Sequence, residues 1–216
     1  MRRRQRAQSV GNRDALRLRP QYGDFGALKS YHQDECAENL VALALPGRNI
    51  ACVEIGAVKP VSGLTAVAHL VGLQMIMHER ICIAPALSIV ALGDADVPEM
   101  AALAAATKPG PYAVEGHRLG RFVGLRCGGV LVAMAGERLK PEGFTEIASI
   151  CTRPECRRRG YASMLVRSIA SHIQARGDTP FLHVTASNGA AVATYKSLGF
   201  VTRRFMMLTL LAPTST

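Results

Sequence analysis

The stretch FTEIASICTRPECRRRGYA, residues 144–162, decides how the chain reads. Its first nine residues, FTEIASICT, are rich in β-branched and aromatic types and read as a strand. After Pro154 the apolar period changes. Ala162, Leu165, Val166, Ile169, Ala170 and Ile173 recur at i, i+3, i+4, i+7, i+8 and i+11, one face of a helix of about four turns. Gly177 is placed to end that helix. At the junction, three consecutive arginines, Arg157 to Arg159, precede Gly160. A helix start carries unpaired N–H groups and the positive end of the dipole, and a glycine there lets an anion approach the main chain. The junction reads as an anion-binding loop; taken alone, the same residues also suit a solvated basic turn.

Toward the C-terminus, FLHVT (Phe181 to Thr185) reads as a short strand, and NGAAVATYKSL as a helix capped by Asn188 and stopped by Gly199. FVTRRFMMLTLL closes the chain as one or more strands. Toward the N-terminus, GRFVGLRCGGVLVAMAGERL (Gly120 to Leu139) divides at Gly128–Gly129 into a hairpin, and KPEG turns it into residue 144. DADVPEMAALAAAT reads as a helix with an early proline, and LSIVALG (Leu87 to Gly93) as a buried strand before it. The order from Leu87 is a strand, one or two helices, a three-stranded antiparallel meander, then helix, strand, helix, strand. Between Leu40 and Val90, NIACVEI, TAVAHLV and LQMIM read as separate short strands divided by turns such as VKPVSG, a pattern that does not specify a fold.

At 216 residues and 49% hydrophobic content, the chain has the material for a core. Of the 26 Lys and Arg residues behind a net charge of +10, seven fall before Gln21, opposed there by Asp14 alone. Residues 1–20 therefore read as a basic, disordered arm, of a composition shared with organelle transit segments and with tails that bind nucleic acid. The arm lacks aromatic residues, which argues against nucleic acid as the main partner. No apolar run follows the arginines as in a secretory signal, and no apolar stretch is long enough to span a membrane, so the expectation is a cytoplasmic protein. The six cysteines (36, 52, 82, 127, 151 and 156) form no CxxC pair, and His69, His78 and His183 lack ligand spacing, so no metal site is expected.

Arg157-x-x-Gly160-x-Ala162 after a strand, followed by a helix, a strand and NGAAVATYKSLGF, resembles the acetyl-CoA signature of the GNAT superfamily of N-acyltransferases. The resemblance covers the element order from residue 87 to about 210, with its specific motifs between Glu146 and Phe200. It implies an α/β fold whose mostly antiparallel sheet splays at the cofactor, with a GNAT domain over 87–212. The resemblance does not reach residues 1–86, which read as the basic arm over 1–20 and an N-terminal extension or subdomain over 21–86 that packs on the core and shapes the acceptor site, or mediates a homodimer. It implies that the loop of Arg157, Arg158, Arg159, Gly160, Tyr161 and Ala162 binds the coenzyme A pyrophosphate. It also implies that main-chain groups of Ile150, Cys151 and Thr152 hold the pantetheine arm, that the Ile150 N–H polarises the thioester carbonyl, and that Asn188 touches the arm.

By the same resemblance Tyr195 is the acid that protonates the departing thiolate, with a phenol near its ordinary pKa. Glu137 and Glu146 are the candidate bases for the acceptor amine: a simple hairpin sets them nearly opposite, where mutual repulsion would raise one pKa. Two solvated glutamates are the alternative reading, and Cys151 reads as a buried thiol. The expected reaction is acetyl transfer from acetyl-CoA to a primary amine of a small molecule or protein. A non-catalytic acyl-CoA sensor, or an acetyltransferase acting on an RNA-linked amine, are the alternatives.

Overall fold

The structure is a computed structural model that describes residues 4–12, 14–29, 34–56, 58, 62–81 and 89–214, except for the side chains of residues 34, 35 and 37. The strands are β1 (Ser9–Gly11), β2 (Ala15–Leu18), β3 (Gly26–Leu28), β4 (Ile50–Glu54), β5 (Leu64–Ile76), β6 (Ile89–Leu92), β7 (Phe122–Cys127), β8 (Val130–Glu137), β9 (Phe144–Thr152), β10 (Thr179–Thr185) and β11 (Val201–Pro213). The helices are α1 (Asp34–Val41), α2 (Val97–Thr107), α3 (Tyr161–Ala175) and α4 (Gly189–Ser197). Eight strands form one sheet in the order β4-β11-β5-β10-β9-β8-β7-β6, and β1-β2-β3 form a small second sheet.

The meander β6 to β9 is antiparallel throughout, and Gly128 and Gly129 both take positive φ at the β7–β8 turn, as the paired glycines led us to expect. Helix α3 buries Leu165, Val166, Ile169, Ala170 and Ile173 on one face of this sheet. Helix α2 buries Met100, Leu103 and Ala104 against Phe122, Leu131 and Met134 on the other. The helical periodicity thus becomes a two-faced core with the meander between.

Three expectations change. TAVAHLV and LQMIM are one strand, β5, lying antiparallel between β10 and β11. Gly72 lets that strand run on: a Cβ there would meet the Val184 carbonyl oxygen of β10 at 3.3 Å. The second change concerns residues 21–86, since β4 and β5 belong to the same sheet as the C-terminal half. The third is the arm. Ser9–Gly11 and Ala15–Leu18 form β1 and β2, Arg17 is 1% exposed, and its Nη1 donates to the Leu43 carbonyl at 2.8 Å beside an ion pair with Asp24. Gln5 donates to the Arg138 carbonyl and accepts from the Lys140 N–H, while Arg4 pairs with Asp178 at 2.7 Å. Charge density suggested a solvated tail; specific partners bury it instead. Residues 1–3, and Leu87 and Ser88 of the expected strand start, with Cys82, lie outside the described residues.

Candidate functional site

Strand β9 runs parallel to β10 for a short distance only: Thr179↔Phe144, Pro180↔Thr145 and Phe181↔Glu146 pair, and then the two strands part. On its other edge β9 carries a bulge, with Met134↔Cys151 followed by Gly136↔Ala148 and Ser149 at φ 54°. The parting leaves main chain of Ala148 to Ile150 on one side and of Val184 and Thr185 on the other, lining a cavity of about 190 Å³. Ile147, Val184 and Tyr195 reach it from the α3 side, and Phe25, Arg138 and Leu208 from the side of the N-terminal hairpin, so the cavity passes through the sheet.

Past the end of β9, a short 3-10 turn over Pro154–Cys156 leads into the arginine loop. Arg158 and Gly160 both have positive φ, at 60° and 79°, and Gly160 is the N-cap of α3 with no side-chain cap. Arg157, Arg158, Arg159 and Gly160 are exposed, while Tyr161 and Ala162 are half-buried at the first turn. A helix start without a side-chain cap, next to three exposed arginines, has the chemistry that suits an anion.

Tyr195 is 8% exposed and packs edge-on to Phe200, with centroids 6.1 Å apart. Burial pushes its phenol up to about 12, which corrects the expectation of an ordinary value. Asn188 does cap α4, accepting from the Ala191 N–H at 3.2 Å, but it stands at the helix start and is exposed, whereas Tyr195 is buried at the other end. Ile150 lines the cavity; the Cys151 side chain packs on the α2 side, where burial raises its thiol pKa. Thr152 is half-buried, and its Oγ1 has no partner among the described residues.

The two glutamates are neither solvated nor mutually repelling. Glu137 is fully buried between Arg176, 2.9 Å from Oε1, and Lys140, 2.8 Å from Oε2. Burial would raise its pKa, but hydrogen bonds and charge from those two cations outweigh it and hold the carboxyl low. Glu146 is also fully buried. Arg138 grips it in a fork through Nε at 2.9 Å and Nη2 at 2.7 Å, and His183 donates from Nδ1 at 2.8 Å. Burial is again outweighed, first by the charge of Arg138, and the carboxyl sits far below the usual range. The raised pKa expected for one of the pair is therefore overturned, and among the described residues neither glutamate lines this cavity.

Arg138 and His183 do line it, and the sequence reading passed over both. A signal existed for His183: it alternates with Leu182 and Val184, which face α3, so a polar side chain there had to point to the opposite face, where Glu146 lies.

With this geometry in place, comparison with known proteins gives the family. The family model described as FR47-like protein matches residues 122–207. A crystal structure from Novosphingobium aromaticivorans DSM 12444, of a protein assigned to the GNAT family of acetyltransferases, superposes with a TM-score of 0.91 at 40% identity, covering 98% of this chain and 93% of that one. The chain belongs to the GNAT family. Among curated proteins, N-alpha-acetyltransferase RimI of Mycobacterium tuberculosis is 39% identical over 82 residues, 37% of this chain and 51% of that protein. The ribosomal protein bS18-alanine N-acetyltransferase of Salmonella typhimurium is 43% identical over 53 residues, 24% of this chain and 36% of that protein. The chain thus spans about half the length of these curated relatives, or less.

Proposed function

We propose that the protein transfers an acetyl group from acetyl-CoA to a primary amine. The observation that carries this reading is the parting of β9 and β10 after Glu146 and Phe181, which opens main-chain groups onto a cavity containing Tyr195 and leads along β9 to the uncapped start of α3. On this reading the amides at Gly160 to Ala162 and the charges of Arg157 to Arg159 hold the pyrophosphate, and main-chain groups of Ile150 and Thr152 hold the pantetheine arm. The two curated relatives are N-acetyltransferases by name, which supports the same chemistry.

The step balances as follows. The amine nitrogen attacks the thioester carbon, the C–S bond breaks, and the sulfur takes up the proton the nitrogen loses, giving an N-acetyl amine and coenzyme A. A phenol at about 12 is a poor full proton donor to a thiolate whose thiol titrates near ~8.5. Tyr195 therefore acts by hydrogen-bonding the sulfur as it leaves, and it yields its proton only if the attacking nitrogen replaces it. Neither buried glutamate is free to take a proton, and both ring nitrogens of His183 are engaged, by Glu146 and by Gln74 at 3.1 Å. The amine accordingly enters neutral, deprotonated by solvent.

Titration calorimetry with acetyl-CoA and with its dephosphorylated form tests the first half of this reading. Binding that weakens as phosphates are removed supports it, whereas equal binding of both forms removes the arginine loop from the site. Release of coenzyme A that depends on an added amine tests the second half.

A further inference from the structure

The cavity wall facing the splayed strands is built by the N-terminal half together with β11: Phe25 before β3, Val53 of β4, Leu70 of β5 and Leu208 of β11. These side chains are apolar, and among the described residues no Asp or Glu lines the cavity. Among the described residues its one permanent charge is Arg138, whose guanidinium lies 4.3 Å from the centroid of the Phe25 ring. Glu146 occupies Nε and Nη2 of that fork; among the described residues Nη1 has no partner. A cavity of about 190 Å³ is smaller than the roughly 300–1,000 Å³ typical of drug-sized ligands, so beside the thioester end of the arm it leaves room only for a small acceptor group.

Resting on the acetyltransfer reading above, we infer that the acceptor is an α-amine: an apolar amino acid, or a peptide amino terminus, whose neighbouring carboxyl or carbonyl oxygen accepts from Arg138 Nη1 while its side chain lies against Phe25, Val53 and Leu208. The charge pattern selects this class in both directions. An acceptor with further positive charges, such as a polyamine or an aminoglycoside, would desolvate them against apolar carbon and an arginine, with no carboxylate to offset the cost. An oxygen next to the amine instead meets Arg138, which lines the cavity and whose Nη1 has no partner among the described residues.

The experiment is a kcat/KM comparison of leucinamide, 3-methylbutylamine and spermidine, with acetyl-CoA binding measured in parallel on every variant. Leucinamide and 3-methylbutylamine present the same apolar body and differ in the carbonyl. The expected order is leucinamide above 3-methylbutylamine by about tenfold, and spermidine last. In Arg138→Lys, which keeps a cation beside Glu146 but removes the fork, the preference for leucinamide over 3-methylbutylamine should disappear. In Leu208→Glu, which places a carboxylate in the wall, spermidine should gain relative to leucinamide. Free leucine and a leucyl dipeptide, run beside leucinamide, separate an amino-acid substrate from a peptide terminus. Equal use of the two monoamines by the wild type, or a preference for spermidine, overturns the inference; so does normal acetyl-CoA binding without acetylation of any α-amine in the set. A protein that fails to bind acetyl-CoA at all fails at the earlier reading, which the calorimetric arm identifies separately.

Discussion

Glu146 and His183 are joined by a 2.8 Å hydrogen bond across the point where their strands stop pairing. Backbone pairing ends at Phe181↔Glu146, and two residues later the connection is carried by side chains alone. Arg138, reaching in from beyond the end of β8, completes the clamp. Buried charge thus ties the two strands together at the point where their backbones part.

Breaking that clamp should be costly. Glu146→Gln leaves Arg138 without its counter-charge, and loss of one member of a buried pair typically costs about 3–5 kcal/mol. Because the Glu146 carboxyl is held below its ordinary 4.5, its contribution is fully present above that value and is lost as pH falls beneath it. Urea denaturation of both proteins at neutral pH, and again below that value, should show a large difference at the first and a smaller one at the second. A neutral-pH difference under about 1 kcal/mol would remove the clamp from the account.

Tyr195→Phe should lower kcat by about 10² while leaving acetyl-CoA affinity nearly unchanged, because the hydroxyl acts on a sulfur that becomes charged only as the bond breaks. With the phenol at about 12, no basic limb from this residue should be seen below that pH. Stopped-assay kinetics and calorimetry on the same preparation decide it; an unchanged kcat would strip Tyr195 of its role.

The pH profile should belong to the acceptor. Since no free side-chain base lines the site among the described residues, log kcat/KM should rise with pH and level off at the acceptor's own pKa, near ~8 for an α-amine and near ~10 for an alkylamine. A limb that stays in place when the acceptor is changed would point to an enzyme base and overturn the solvent-deprotonation step.

Gly160 separates backbone strain from ligand blocking. A Cβ there would meet nothing within 4 Å, yet φ is 79°. Gly160→Ala should therefore fold with a loss of about 1–2 kcal/mol, whereas Gly160→Glu, which adds negative charge at the helix start, should abolish acetyl-CoA binding. Normal affinity in the glutamate variant would move the phosphates elsewhere.

Local chemistry in the sequence accounted for much of this. The glycine pair at 128 and 129, the apolar stripe of α3 and the Asn188 cap each follow from neighbouring residues, and each is found. What stayed hidden depends on which distant segments meet. Nothing near residues 64–76 announces that they lie between β10 and β11, and nothing in the arginines before Gln21 says that Arg17 meets Asp24 and the Leu43 carbonyl. The glutamates show the same limit. Their positions near a hairpin were legible, but the cations that fix their charge, Arg176 for one and Arg138 for the other, come from the helix end and from the same turn, folded over in ways that strand alternation does not encode.

The placement of β5 also sets an order of assembly. Pairings such as Leu64↔Pro213 join residues about 150 apart in the chain, so the sheet cannot close until residue 213 has been made. Until β10 is made, β5 carries Val67, Leu70 and Val71 with neither of its sheet neighbours, and until β11 is made one edge stays open, the kind of unpaired apolar strand that invites pairing with another chain. A fragment cut at residue 87 to isolate the family motifs would meet the same hazard from the other side: β10 and β11 would lose the strand between them, and the fragment should aggregate where the whole chain folds.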